Sequence, residues 1–97
     1  MSLASGMVGK YVVVRTYSAG VHIGVLAEHE KTEVVLKDAR RIWSWAGANT
    51  LSEISLRGVG SGSRISDKVP EIYLSEAIEL IPCSQEAREN LDQGRWS

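Results

Sequence analysis

Ninety-seven residues, 43% hydrophobic and 24% charged, describe one ordinary globular domain, small enough that self-association would help to stabilise it. A formal net charge of -1 gives no bulk attraction to nucleic acid, so any anion site has to be local. The lone Cys83 rules out an internal disulfide and argues against a cysteine zinc centre, and no apolar run approaches the roughly 20 residues that span a bilayer, which makes the cytoplasm the expected compartment.

Residues 1–6 are small and uncharged in their side chains, and are expected to be a flexible leader or an added remnant before a single domain at 7–92, with a tail at 93–97. Residues 11–17 are dense in β-branched and aromatic side chains and predict a first strand, with Val12, Val14 and Thr16 on one face and Tyr11, Val13, Arg15 and Tyr17 on the other. Ser18, Ala19 and Gly20 supply a turn. Residues 21–27 alternate as a second strand, and Gly24 in its middle predicts a bulge or a sharp bend. After the charged turn Glu28-His29-Glu30-Lys31, residues 33–37 continue an antiparallel meander.

The stretch Lys37-Asp38-Ala39-Arg40-Arg41-Ile42-Trp43-Ser44-Trp45 places two of the three tryptophans directly behind an arginine pair. In an extended chain Arg41, Trp43 and Trp45 share one face while Arg40, Ile42 and Ser44 share the other. Indole faces stack on bases and guanidinium groups fork onto phosphate, so the stretch suits a planar anionic ligand. In a chain without phenylalanine the same indoles would equally serve as core anchors, and the residue types alone leave both readings open.

Thr50-Leu51-Ser52-Glu53 fits a capping box, so a short helix is expected from Thr50 with Leu51, Ile54 and Ser55 toward the body and Gly58 as its stop. Residues 58–63 are expected to form a mobile connection. The main-chain N–H groups of Gly60, Ser61, Gly62 and Ser63 could close over a ligand, although the lysine of a phosphate-binding loop is absent. Strands return at 64–67, 71–74 and 77–81, and Ser84 caps a terminal helix over 85–91. Trp96 is expected to dock on the body or on a neighbouring subunit.

Three meander strands, an inserted helix, two closing strands and a C-terminal helix predict a mainly β, α+β fold, a small antiparallel β-barrel, and this order of features resembles the SH3-like barrel. The run Val12-Val13-Val14-Arg15-Thr16-Tyr17-Ser18-Ala19-Gly20-Val21-His22-Ile23-Gly24-Val25-Leu26 resembles the bent strand pair of Sm-like barrels, and Ile72-Tyr73-Leu74-Ser75-Glu76-Ala77-Ile78-Glu79-Leu80-Ile81 resembles their closing strands. The asparagine-bearing turn that Sm proteins use on RNA is replaced here by Glu28-His29-Glu30-Lys31. Separately, Val34-Val35-Leu36-Lys37-Asp38-Ala39-Arg40-Arg41-Ile42-Trp43-Ser44-Trp45 with Gly47-Ala48-Asn49-Thr50-Leu51 resembles a family of short proteins encoded in tailed-phage genomes and known only as a domain of unknown function. That resemblance implies a bacterial-host setting in which small proteins act in host takeover or counter-defence, one class of them sequestering cyclic nucleotide signals without cleaving them.

No catalytic set is visible. His22 and His29 stand apart from any nucleophile motif or metal-spaced cluster, Asp38 is expected to pair with Arg40, and Cys83 is expected to be a structural thiol, so neither an enzyme nor a cofactor is expected. The leading expectation is a homo-oligomeric, non-catalytic binder of a nucleotide or other anionic small molecule, with Arg41, Trp43 and Trp45 as the platform and Arg40, Tyr17, Arg15 and His22 as neighbours. An Sm-like RNA binder or a host-protein interaction module using the same aromatic patch is the alternative.

Overall fold

The computed structural model describes residues 5–60 and 62–93. A 3-10 turn, Ser5–Met7, precedes β1 (Tyr11–Thr16), β2 (Val21–Glu30), β3 (Glu33–Ser44), α1 (Leu51–Arg57), β4 (Arg64–Ile65), β5 (Val69–Leu74), β6 (Ala77–Pro82) and α2 (Gln85–Asp92). The expected leader and tail fall largely, and Trp96 and Ser61 wholly, outside the described residues.

The first four residues of β1, Tyr11 to Val14, are buried on both faces, which is why all four are apolar or aromatic. Val12 and Val14 join one cluster with Leu26, Val34, Leu36, Ala39, Leu74 and Ala77. Tyr11 and Val13 join a second with Ile23, Ile42, Ile54, Ile65 and Leu91. The second cluster is roofed by the helices through Ile54 of α1 and Leu91 of α2. Capping fixes where each helix begins. The Thr50 hydroxyl accepts from the Glu53 N–H at 3.2 Å, but the Glu53 carboxylate accepts from Asn49 N–H at 3.1 Å, one residue earlier than a capping box predicts. Ser84 accepts from the Ala87 N–H at 3.0 Å and donates to the Leu56 carbonyl at 2.7 Å, tying the start of α2 to the end of α1.

All ladders are antiparallel, in the order β4-β3-β2-β1-β6, with β5 also beside β3. The 12-residue β3 divides one edge between two partners: Val34 to Ala39 pair with β5, while Ile42 and Ser44 pair with β4. β5 and β6 are consecutive yet lie on opposite margins of the sheet. The corner between them is fastened by isolated bonds, from Ala77 N–H to Thr32 carbonyl at 2.9 Å, Thr32 hydroxyl to Ser75 carbonyl at 3.0 Å and Tyr17 N–H to Glu76 carbonyl at 3.0 Å. Among the described residues no ladder joins β5 to β6, so the six-stranded sheet stays open and the expected closed barrel does not form.

One irregularity sets up everything near the arginine pair. Ile23 faces Arg40 and Val25 faces Lys37, so two steps along β2 match three along β3. The extra residue lies at Asp38 and Ala39, where Asp38 takes φ 50. Gly24 stands opposite because a Cβ there would lie 2.9 Å from the Lys37 carbonyl oxygen and 3.2 Å from Ala39 Cα. The glycine does mark a bulge, as expected, but the inserted residue is on the neighbouring strand.

Candidate functional site

Because a strand alternates its side chains, one inserted residue reverses which parity faces which side. Before the bulge Val34 and Leu36 enter the first cluster; after it Ala39 does. Arg41 and Trp43 continue on Ala39's face, while Arg40 and Ile42 turn toward the second cluster beneath α2. The first cluster ends before it reaches Arg41. There β2, β3, β5 and the link between β4 and β5 leave an open groove of about 460 Å³, lined by His22, Ala39, Arg40, Arg41, Trp43, Ser66, Val69 and Ile72. Its volume lies in the range of small-molecule sites, and Ala39, Val69 and Ile72 make its floor largely apolar.

Arg41 is held from two sides. Its backbone N–H donates to the Ser66 hydroxyl at 2.8 Å, and its Nε–H donates to His22 Nε2 at 3.2 Å. His22 is 1% exposed, and it accepts at Nε2 only as the neutral ring protonated at Nδ1. Burial first, and the Arg41 cation second, push its pKa down to about 4. Among the described residues no carboxylate pairs with Arg41. Trp43 is 50% exposed, and the Arg64 guanidinium lies 5.6 Å from its ring centroid, so a second cation borders the groove through the indole.

Arg40 is 6% exposed and engages main chain: Nε–H donates to the Ser66 carbonyl at 2.7 Å, and Nη1 donates to the Leu91 and Asp92 carbonyls at 3.0 and 3.3 Å. It reaches the groove wall, yet its bonds neutralise the negative end of α2. Asp38, expected as its partner, is exposed at the bulge, and among the described residues the ion pairs found do not include one between the two.

The other expected site residues lie elsewhere. Trp45 falls just past the end of β3, escapes the strand alternation, and packs against the second cluster. It shares a separate depression with Arg15, Val21 and Glu79 near the start of α1. Tyr17 projects into solvent, 78% exposed. Gly60 and Ser63 are pinned to the chain after β3, through Gly60 N–H to Ala46 carbonyl at 2.7 Å and Ala46 N–H to Ser63 hydroxyl at 2.9 Å, and neither they nor Gly62 lines the groove. Ser66, Val69 and Ile72 were not singled out by sequence, since a short strand followed by a proline-containing one carries no ligand motif. Their one sequence signal is the apolar pair Val69 and Ile72 close behind Arg64.

Burial pushes the half-buried Cys83 thiol up to about 11, away from reactive thiolate. Among the described residues no group of three or more His, Cys, Asp or Glu side chains could hold a metal ion, and no helix is long and apolar enough to cross a membrane.

The neutral His22 makes folding pH-dependent. Its folded pKa lies below the ordinary value of 6.5, so between about 6.5 and 4 the unfolded chain binds a proton that the folded chain refuses. Stability is therefore expected to fall as pH drops through that window. His22→Gln should flatten the part of the thermal-melting profile between pH 7 and 4 that the histidine contributes; an unchanged profile would mean that the folded chain protonates His22 as readily as the unfolded one.

Fold and groove together define a small open-sheet α+β domain with a local cation and indole surface. The family described as domain of unknown function DUF6948 matches residues 9–91, and the chain belongs to it. No curated protein and no solved structure matches the chain.

Proposed function

We propose that this protein is a non-catalytic binder of an anionic, nucleotide-type small molecule, held in the groove between β3 and the β4–β5 link. The observation that carries the reading is Arg41, a cation without a carboxylate partner among the described residues, beside the half-exposed Trp43 over an apolar floor. The guanidinium supplies forked donors for phosphate and the indole supplies a surface for a base. Within this reading, the tailed-phage resemblance supports a counter-defence role in the cytoplasm of a bacterial host, and cyclic nucleotide signals as the ligands to try first. Trp45 and Arg15 belong to a different depression, so the platform of this proposal is Arg41 and Trp43 with His22 and Arg40 behind them.

The test is calorimetric titration of linear and cyclic nucleotides into wild type, Arg41→Ala and Trp43→Ala, together with native mass spectrometry of protein purified from its host for oligomeric state and retained ligand. Arg41→Ala is expected to weaken binding by about 1.5–3 kcal/mol through lost charge-assisted bonds. Trp43→Ala should cost about 1–3 kcal/mol of binding through lost stacking, with melting little changed because half of the side chain is already in water. Unaltered affinity in Arg41→Ala, or steep salt dependence with RNA in place of a saturable nucleotide site, would remove the proposal in favour of the RNA-binding alternative.

A further inference from the structure

The groove contains a buried polar group that ligand contact alone does not explain. His22 is directly opposite Arg41 in the β2–β3 ladder, and its ring takes the Arg41 Nε–H. A strand histidine with 1% exposure could have been an aliphatic residue at lower desolvation cost, since its Nδ1 is buried and finds no acceptor among the described residues. What the ring supplies is one acceptor, aimed at one nitrogen of one arginine.

We propose that His22 is the positioning residue for Arg41: by occupying Nε–H it fixes the guanidinium so that its two terminal amino groups, Nη1 and Nη2, receive a phosphate group end-on. This rests on the reading of the groove as an anion site and specifies how the anion is held. An arginine on a half-open groove has several rotatable bonds and meets phosphate either side-on, through Nε and one terminal nitrogen, or end-on. With Nε already bonded, only the end-on fork remains. The backbone is fixed as well, because Arg41 N–H donates to Ser66 Oγ and the Ser66 N–H returns a bond to the Arg41 carbonyl at 2.9 Å. Both ends of the side chain are therefore set before a ligand arrives, which lowers the ordering cost of binding.

The arrangement works only with a neutral ring. A protonated His22 has N–H on both nitrogens and can no longer accept from Arg41. The surroundings favour the neutral form: the charged groups at the groove are Arg41 and Arg40 of β3 and, at its border over Trp43, Arg64 of β4, while β1 sets Val14 opposite His22 and β5 contributes Val69 and Ile72, so among the described residues no carboxylate lines the groove beside the ring. Anion capture through this fork is then retained from neutral pH down to the point where the ring protonates, and fails below it.

The experiment is ¹H–¹⁵N NMR of the full chain, following the Arg41 Nε–H and the His22 ring nitrogens, with pyrophosphate as the probe. In wild type at pH 7, Nδ1 is expected to carry the proton and Nε2 to be bare; a protonated Nε2 overturns the proposal without recourse to any variant. His22→Leu is expected to expose the Arg41 Nε–H to solvent exchange and to weaken pyrophosphate binding about tenfold, the scale of one lost bond to a charged group. His22→Gln, whose amide oxygen reaches the place of Nε2, should restore protection and most of the affinity. Equal protection and affinity in wild type and His22→Leu would overturn the positioning role while leaving the anion reading intact. Pyrophosphate that fails to shift Arg41 in wild type would overturn both together.

Discussion

Arg40→Ala is expected to be the most destabilising single substitution in this chain, at about 3 to 5 kcal/mol and a fall in Tm of roughly 15–30 °C. The side chain is 6% exposed and bonds three carbonyls, those of Ser66, Leu91 and Asp92. Truncation leaves these acceptors without their donor in a place water reaches poorly, and uncaps the negative end of α2. A small domain has only some 5–15 kcal/mol to lose, so much of the population should unfold at physiological temperature. Lysine should recover little, because a single ammonium cannot reproduce the spread of donors that a guanidinium offers to carbonyls from two segments. Urea denaturation with linear extrapolation measures the effect. A loss below about 1 kcal/mol would mean that burial of Leu91, rather than the arginine, holds α2 in place.

Gly58→Ala is expected to follow, at about 2–4 kcal/mol. Gly58 ends α1 at φ 84 and ψ -152, a region that residues with a Cβ scarcely enter. Its Cα also abuts Asn90 of α2, and an added methyl would overlap the Asn90 amide. That amide is already engaged, accepting from Val59 N–H at 2.8 Å and donating to Val59 carbonyl at 3.0 Å. The two costs separate in a double-mutant cycle. In an Asn90→Ala background the steric cost disappears and the backbone cost remains, so Gly58→Ala should destabilise less there than in wild type. Equal losses in both backgrounds would show that Asn90 yields freely and that the backbone alone opposes the substitution.

Local rules carried the sequence a long way in this chain. The valines of β1, the turn at Gly20, Thr50 and Ser84 as caps and Gly58 as a stop each act over a few residues, and each stands where expected. Sheet closure is different in kind. Whether β5 and β6 form a ladder depends on the geometry of one corner, so the same strand pattern is compatible with a barrel and with the open sheet observed. The role of Arg40 was hidden for a related reason: its partner Leu91 is 51 residues away, and nothing in the local pattern distinguishes it from Arg41. The two tryptophans of the arginine stretch part company in the fold. Trp43 stays on the strand and borders the groove, whereas Trp45 lies beyond it, half-buried against the second cluster.

The bulge at Asp38 and Ala39 makes the reading frame of side chains along β3 depend on one residue. Losing the bulge without losing a residue, so that β2 and β3 pair one to one past Lys37, would exchange the two sets that follow: Arg40 would come opposite His22 at the groove in place of Arg41, and Arg41 would inherit the carbonyls of α2. The doubled arginine makes the cation tolerant of such a shift, since either copy can fill either post. Ile42 and Trp43 have no such redundancy: the exchange would drive the indole under α2 and set the isoleucine in water. The strand thus encodes its charge twice and its aromatic surface once, and a β3 that paired without its bulge at the same length would be expected to keep the cation and lose the stacking face.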